Sequence, residues 1–310
     1  MCGIVGFLDR RGGTGRPAGR TLLAMLDALG CRGPDSTGVA LFGPPSSRWV
    51  LRVKLPDDPE RRGTIIQSLE SGVGAGPVLL YDLAGTYVRL ELARQELARA
   101  ALAEAFVLNK YPDTEVVSLG ERLEIIKQVG SPGQLEATYG ISRMTGSHGI
   151  GHTRLSTESR VDLSHSQPFW AHGVPDLATV HNGHVTNYHK LRRQYEQRGH
   201  RFFTENDSEV IGVYLRERLA AGLSLEDALR SSLDDFDGSF CYLAASGDRL
   251  AYVRDRYGFK PLVVAETDDF VAVATEEIAL RRALGDGFAA REPEPGTMRV
   301  WSVSGVGAPV

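Results

Sequence analysis

Cysteine is scarce in this sequence. Only Cys2, Cys31 and Cys241 occur among 310 residues, an odd number with no C-x-x-C spacing. That usage supports neither a disulfide framework nor a zinc site, and it fits a reducing cytoplasm. An excess of positive charge is missing as well: 35 Lys and Arg against 39 Asp and Glu leave a net charge of −4. The cations are scattered among acids, so no nucleic-acid footprint is present. No apolar run approaches the roughly 18 residues of a membrane span. The opening CGIVGFL is too short for a signal h-region, and its arginines follow it instead of preceding it. Internal repeats are absent, and the glycine-rich 12–19 is the one low-complexity stretch. These absences leave a soluble, cytoplasmic globular protein as the expectation, long enough for one large domain or two smaller ones.

What is present starts with short apolar runs. Residues 3–8 and 38–42 are rich in Val, Ile, Leu and Phe and bounded by Gly and Pro, the signature of buried strands. Between them Leu22, Leu23, Leu26 and Leu29 have helical spacing that ends at Gly30. From Pro44 to about Gly140 the character changes and predicts an inserted subregion. Within it VRLELARQELARAALAEAFVLNK reads as one helix through Leu90, Ala93, Leu97, Ala101, Ala105 and Leu108. Its stripe either packs on the main body or docks another subunit, and periodicity leaves both open.

After Gly149 strand and turn signals return. DLATVHNG reads as a β run closing on Asn-Gly; NYHKLRRQYEQRG predicts a helix capped by Asn187 and stopped at Gly199. Helices are expected over roughly Glu209 to Ala221 and from Leu225 after Ser224. Hairpins follow at Gly247-Asp248 and across 267–269, and MRVWSV is a late strand. Without regular βαβ alternation, the expectation is a layered α+β domain covering 2–310, with an insertion at about 44–140.

Four segments carry unusual polar density where strand ends should lie: Cys2-Gly3, GHTRLSTES at 151–159, HNG at 181–183 and ENDSE at 205–209. Singly each has an ordinary explanation. Cys2 reads as a fraying terminus or small buried hydrophobe, Arg154 as a surface ion pair, Asn182-Gly183 as a hairpin turn and Asp207 as a helix cap. Cys2 nonetheless stands one proteolytic cut from the amino terminus. If Met1 is removed, one residue carries both a thiol nucleophile and a free α-amine able to act as its base. Seven histidines crowd residues 148–189, but they show no H-E-x-x-H or comparable ligand pattern, and no metal site is expected.

Taken together and in this order, the blocks resemble the class II glutamine amidotransferases of the N-terminal-nucleophile hydrolase superfamily. The matching text is CGIVGF at 2–7, RGPDSTG at 32–38, GHTRLST at 151–157, SQPF at 166–169, HNGHVTN at 181–187, NDSEV at 206–210, DGSF at 237–240, RDRYGFKPL at 254–262 and ATEEIAL at 274–280. The resemblance implies a four-layer αββα sandwich with a helical insertion, and hydrolysis of L-glutamine to L-glutamate and ammonia through a thioester on Cys2. It implies oxyanion donors at the Asn182 side chain and the Gly183 N–H. Arg154 would grip the substrate α-carboxylate, for which its planar fork is suited. Asp207 would pair with the α-amine, Thr157 would add a glutamine contact and Arg32 would gate the pocket. Cys31 and Cys241 read as core thiols.

The resemblance departs at Glu158, where several relatives place a histidine. Its blocks reach nearly to the end of the chain, so the ammonia acceptor is expected on a separate synthase subunit. The pattern is most similar to stand-alone subunits of glutamate-synthase-like and N-methylglutamate-synthase-like complexes. No cofactor is expected in this chain; FMN or an iron–sulfur cluster belongs to such partners. Two alternatives stay open at this point: a non-catalytic glutamine-binding or scaffolding subunit, and a Cys-nucleophile hydrolase of other amides.

Overall fold

A computed structural model describes residues 2–12, 17–73, 78–93, 97–155 and 160–303. The amino-terminal run forms β1 (Gly3–Asp9), and all seven of its residues are buried. It reads as continuously apolar because both of its faces are covered. β1 lies inside an antiparallel sheet, paired on one side with β14 (Phe270–Ala274) and on the other with β8 (His148–Arg154). β13 (Val263–Glu266) and β15 (Ala290–Arg291) extend the β14 side, while β2 (Ser36–Phe42) and β7 (Leu123–Val129) extend the β8 side.

A second antiparallel sheet has the order β16 (Thr297–Ser302), β12 (Arg249–Arg254), β11 (Gly238–Ser246), β10 (Leu177–Val185) and β9 (Phe169–Trp170). It stacks on the first. Gly6 explains how closely, since a Cβ there would lie 3.0 Å from Leu243 and 3.2 Å from Leu250 on the facing sheet. One apolar cluster joins Val5 and Ile150 of the first sheet to Val180, Leu243 and Leu250 of the second. Each such side chain contributes about 1.5–3 kcal/mol by leaving water.

Helices close both outer faces. α1 (Ala18–Ala28), α4 (Pro132–Tyr139) and α8 (Glu277–Leu284) cover the first sheet, and α6 (Asp207–Ala220) and α7 (Leu225–Asp235) pack on the second with α5 (Tyr188–Gln197) against α6. A separate cluster, including Val210, Tyr214, Leu229 and Tyr242, holds that second helical layer in place. The architecture is thus the expected four-layer αββα sandwich. Asn187 does precede α5, but its side chain makes no cap; it bridges Asp235 O at 3.0 Å and Asp237 N at 3.1 Å. Cys241 is buried as expected, whereas Cys31, in the turn that follows α1, is exposed.

The inserted subregion differs from the helical one expected. It is a four-stranded antiparallel sheet in the order β4 (Val78–Ala84), β5 (Tyr87–Ala93), β3 (Arg48–Lys54) and β6 (Glu115–Gly120), flanked by α2 (Pro59–Glu70) and α3 (Leu97–Lys110). Leu90 and Ala93, read as the start of a helix, sit in β5. There Tyr87, Val88, Leu90 and Leu92 are buried between two partner strands while Arg89 and Glu91 are not. Among the described side chains of α3, Ala103 and Val107 are fully buried and Leu108 packs partly buried on the protein's own core while Ala105 is exposed; the side chains of Leu97 and Ala101 lie outside the described ones. The 44–140 segment also contains β7 and α4, which belong to the sandwich. Asp176 pins the turn from β6 to β7, its carboxylate accepting from the backbone N–H groups of Glu121, Arg122 and Leu123 at 2.8–2.9 Å.

Candidate functional site

Three central elements end at one place: the start of β1, the end of β8 and the end of β10, with the N-terminus of α6 beside them. They enclose a cavity of about 570 Å³ lined by Cys2, Arg154, His181, Gly183 and Asp207 among others. Cys2 is half-buried, and its Sγ lies 3.7 Å from the Leu155 carbonyl oxygen. Its own carbonyl accepts from Asn182 Nδ2 at 3.3 Å and from Arg32 Nε at 3.4 Å. Arg32 also ion-pairs with Glu276 at the start of α8. It contacts the main chain of Cys2 and is not among the cavity-lining residues.

Asn182 and Gly183 do not form a turn. They lie within β10, opposite Cys241 and Phe240 of β11. Gly183 has φ +119°, and a Cβ there would sit 2.2 Å from Ser239 O and 2.8 Å from Phe240 Cα. Only glycine fits both that dihedral and that space. The Asn-Gly preference for turns is a local one, and ladder pairing through Val185 overrides it.

Arg154 closes β8 at 4% exposure, and its Nη1 donates to Arg160 O at 2.8 Å. Burial pulls its pKa down from the ordinary value; the nearby Cys2, Asp162 and Asp35 oppose that. Asp207 opens α6, where the helix dipole favours a carboxylate. Its Oδ2 accepts from Val185 N at 3.0 Å, and its Oδ1 is 3.7 Å from His181 Nδ1. Glu209, two residues on, is buried and accepts from Phe203 N, Thr204 N and Thr204 Oγ1 at 2.8–2.9 Å, which fixes the loop entering the helix. Thr157 lies outside the described residues.

The site histidines are packing groups. His152 and His181 are buried, and burial lowers both, His152 to about 3. His152 Nε2 faces the His181 carbonyl at 3.2 Å. His148 stacks on Phe42, and its Nε2 meets Ser246 O at 2.6 Å. Among the described residues no three His, Cys, Asp or Glu side chains are grouped to hold a metal ion.

Two side chains not singled out from sequence complete the site. Gln167 and Ser208 are both largely buried in the cavity wall and contact His181. Their signal was present, since each lies inside a block that carries the resemblance, SQPF and NDSEV. What the text did not reveal is the direction of their hydrogen bonds.

Residues 152–282 match a family model described as a glutamine amidotransferase domain. Over 308 residues the chain is 34% identical to a protein provisionally named a glutamine amidotransferase from Methanothermobacter thermautotrophicus, covering 98% of this chain and 100% of that one. It is 37% identical over 306 residues to the glutamine amidotransferase-like protein GlxB of Rhizobium meliloti, covering 97% and 98% respectively. Among solved structures, the glutamine phosphoribosylpyrophosphate amidotransferase from B. subtilis superposes with a TM-score of 0.63 at 20% identity. That match covers 98% of this chain and 50% of that one, so the chain spans about half its length and the likeness speaks to the fold.

Proposed function

This chain belongs to the glutamine amidotransferase family, and from that premise we propose that it is a class II glutaminase with Cys2 as its nucleophile. One observation carries the reading. A thiol, an arginine, an aspartate and a positive-φ glycine all line a single 570 Å³ cavity, and the Asn182 side-chain amide donates to the Cys2 carbonyl beside it. The arginine suits an α-carboxylate and the aspartate an α-ammonium, which together select an amino-acid head group over a simple acyl amide.

Removal of Met1 frees the Cys2 α-amine. That amine takes the thiol proton, the sulfur attacks the glutamine side-chain carbonyl carbon, and the oxyanion is held by Asn182 Nδ2 and the Gly183 N–H. Collapse expels ammonia, which carries away the proton, and leaves a thioester. Water then attacks the thioester, the C–S bond breaks, and glutamate departs as the thiol regains a proton. The sum is L-glutamine plus water to L-glutamate plus ammonia.

The ammonia is proposed to pass to a separate synthase subunit of the glutamate-synthase-like or N-methylglutamate-synthase-like kind, in the cytoplasm. This chain would hold no cofactor, and FMN or iron–sulfur centres would reside in the partner. The test starts with intact mass to establish loss of Met1. Processed protein treated with a γ-electrophilic glutamine analogue should be labelled at Cys2, and with its co-purifying partner it should release ammonia from glutamine and not from a simple acyl amide. Processed protein that neither labels nor releases ammonia would overturn the reading in favour of a glutamine-binding scaffold.

A further inference from the structure

The ladder between β9 and β10 pairs Phe169 with Thr179 and Trp170 with Ala178. Continued in the same register, it would set Gln167 opposite His181. The main chain does not complete that pair: the Gln167 carbonyl is pressed against Gly38, where a Cβ would lie 2.2 Å from it. The side chain does. Gln167 Oε1 accepts from His181 N at 2.6 Å, and Nε2 donates to His181 O at 3.2 Å. One side-chain amide thus stands in for a strand residue on the edge of β10, directly before Asn182 and Gly183. Its two ends are unambiguous, since a backbone N–H must meet an oxygen and a carbonyl must meet a donor.

The same Nε2 also donates to Ser208 Oγ at 3.0 Å. Ser208 Oγ lies 2.9 Å from His181 Nδ1 and 3.4 Å from Asp207 Oδ1. Gln167, His181 and Ser208 are each at most 5% exposed, so an unmade bond among them is costly.

We propose that Gln167 is a positioning residue that sets the oxyanion strand through His181 and, through Ser208, keys that strand to the aspartate at the head of α6. The proposal rests on the glutaminase reading for its kinetic consequences. Its two branches act on different steps. The His181 branch orients donors used by the oxyanion, a transition-state interaction that governs kcat; the Ser208 branch orients Asp207, which holds ground-state glutamine and governs KM.

Gln167→Glu keeps the shape and the accepting oxygen but turns the donor into an oxygen facing the His181 carbonyl. In processed protein with its partner, this variant should lower kcat by about tenfold or more with KM within about threefold. Ser208→Ala should show the reverse split, KM rising about tenfold with kcat little changed. Amide hydrogen exchange tests the clamp without turnover: the His181 N–H should exchange about tenfold faster in Gln167→Glu, while Val5 and Leu243 keep their protection. A Gln167→Glu protein with unchanged kcat and unchanged His181 exchange would overturn the proposal. So would acceleration spread evenly over all three amides, which marks a general loss of stability. If the wild-type protein proves inert toward glutamine, the glutaminase reading falls, and the exchange result still decides the clamp.

Discussion

The sandwich and the sheet inserted into it are both antiparallel, yet they tolerate different things. β1, β2 and β8 are buried along every residue, and their glycines hold close contacts with facing side chains or backbone. A Cβ at Gly149, for example, would lie 2.5 Å from Ala40 O. In the inserted sheet β5 alternates, and β4 exposes Leu79, Leu80, Tyr81 and Leu83 by 46–51%. The first region excludes added atoms and so can hold reacting groups within a fraction of an ångström. The second relies on side chains, including a buried ion pair at its junction with the sandwich. There Lys127 on β7 is 2% exposed, with Nζ 3.6 Å from Glu115 on β6. Precision is bought by the sandwich with steric intolerance.

The largest effect should come from the proposed nucleophile, which bears little of the packing. Cys2→Ala is expected to lower glutamine hydrolysis by about 10⁴-fold or more with unchanged thermal unfolding, since Cys2 is half-buried at a strand start; a substantial fall in Tm would break the separation. Next, Gly183→Ala should cost about 10²–10³ in kcat, the scale of losing one oxyanion donor, together with measurable stability. Wild-type kcat in this variant would show that the sandwich yields more than its packing indicates.

At the junction, Lys127→Met should destabilise by about 3 kcal/mol in denaturant unfolding, at the low end for a broken buried pair because Lys54 stays 3.9 Å from Glu115. Pairing Lys127→Met with Glu115→Gln should recover most of that loss. Acid provides a second measure of the same pair. Burial opposes the Glu115 carboxylate, but attraction to Lys127 and the other groups around it prevails and its pKa lies below the ordinary 4.5. A lowered acid contributes stability above its unfolded pKa that is lost as pH falls through the folded value. Wild-type stability should therefore decline below about pH 4.5, and that part of the decline should shrink or reverse in Lys127→Met, where the main attraction opposing burial of the Glu115 carboxylate is gone. The smallest effect reverses sign. Gly63 lies inside α2, and an added Cβ would meet nothing within 4 Å there, so Gly63→Ala should stabilise by about 0.5–1 kcal/mol. A loss there as large as at Gly183 would erase the contrast between the regions.

The same contrast governs how much could be read in the amino-acid text. Cys2, Arg154, Gly183 and Asp207 line one cavity because each sits at the end of a central strand or the start of a helix, and those blocks are dense with polar residues where the pattern should be apolar. The strand status of Asn182-Gly183 was not legible, since pairing with β11 is non-local and defeats a turn dipeptide. Leu90 and Ala93 failed for a related reason: their spacing fits a helix, but Tyr87, Val88, Leu90 and Leu92 are buried by strands distant in sequence. Arg32 could be placed near the nucleophile, yet only its ion pair with Glu276, 244 residues away, shows which side of Cys2 it occupies.

The location of β1 has a practical consequence for handling the protein. Its first strand residue, Gly3, is buried and paired with Thr153 of β8, and the residue before that strand forms part of the cavity wall. On the proposed mechanism, a purification tag fused ahead of Cys2 would block the amine that activates the thiol and would start at the cavity wall. The opposite end of the described chain follows β16, at the far edge of the second sheet from β9, and an affinity handle belongs there.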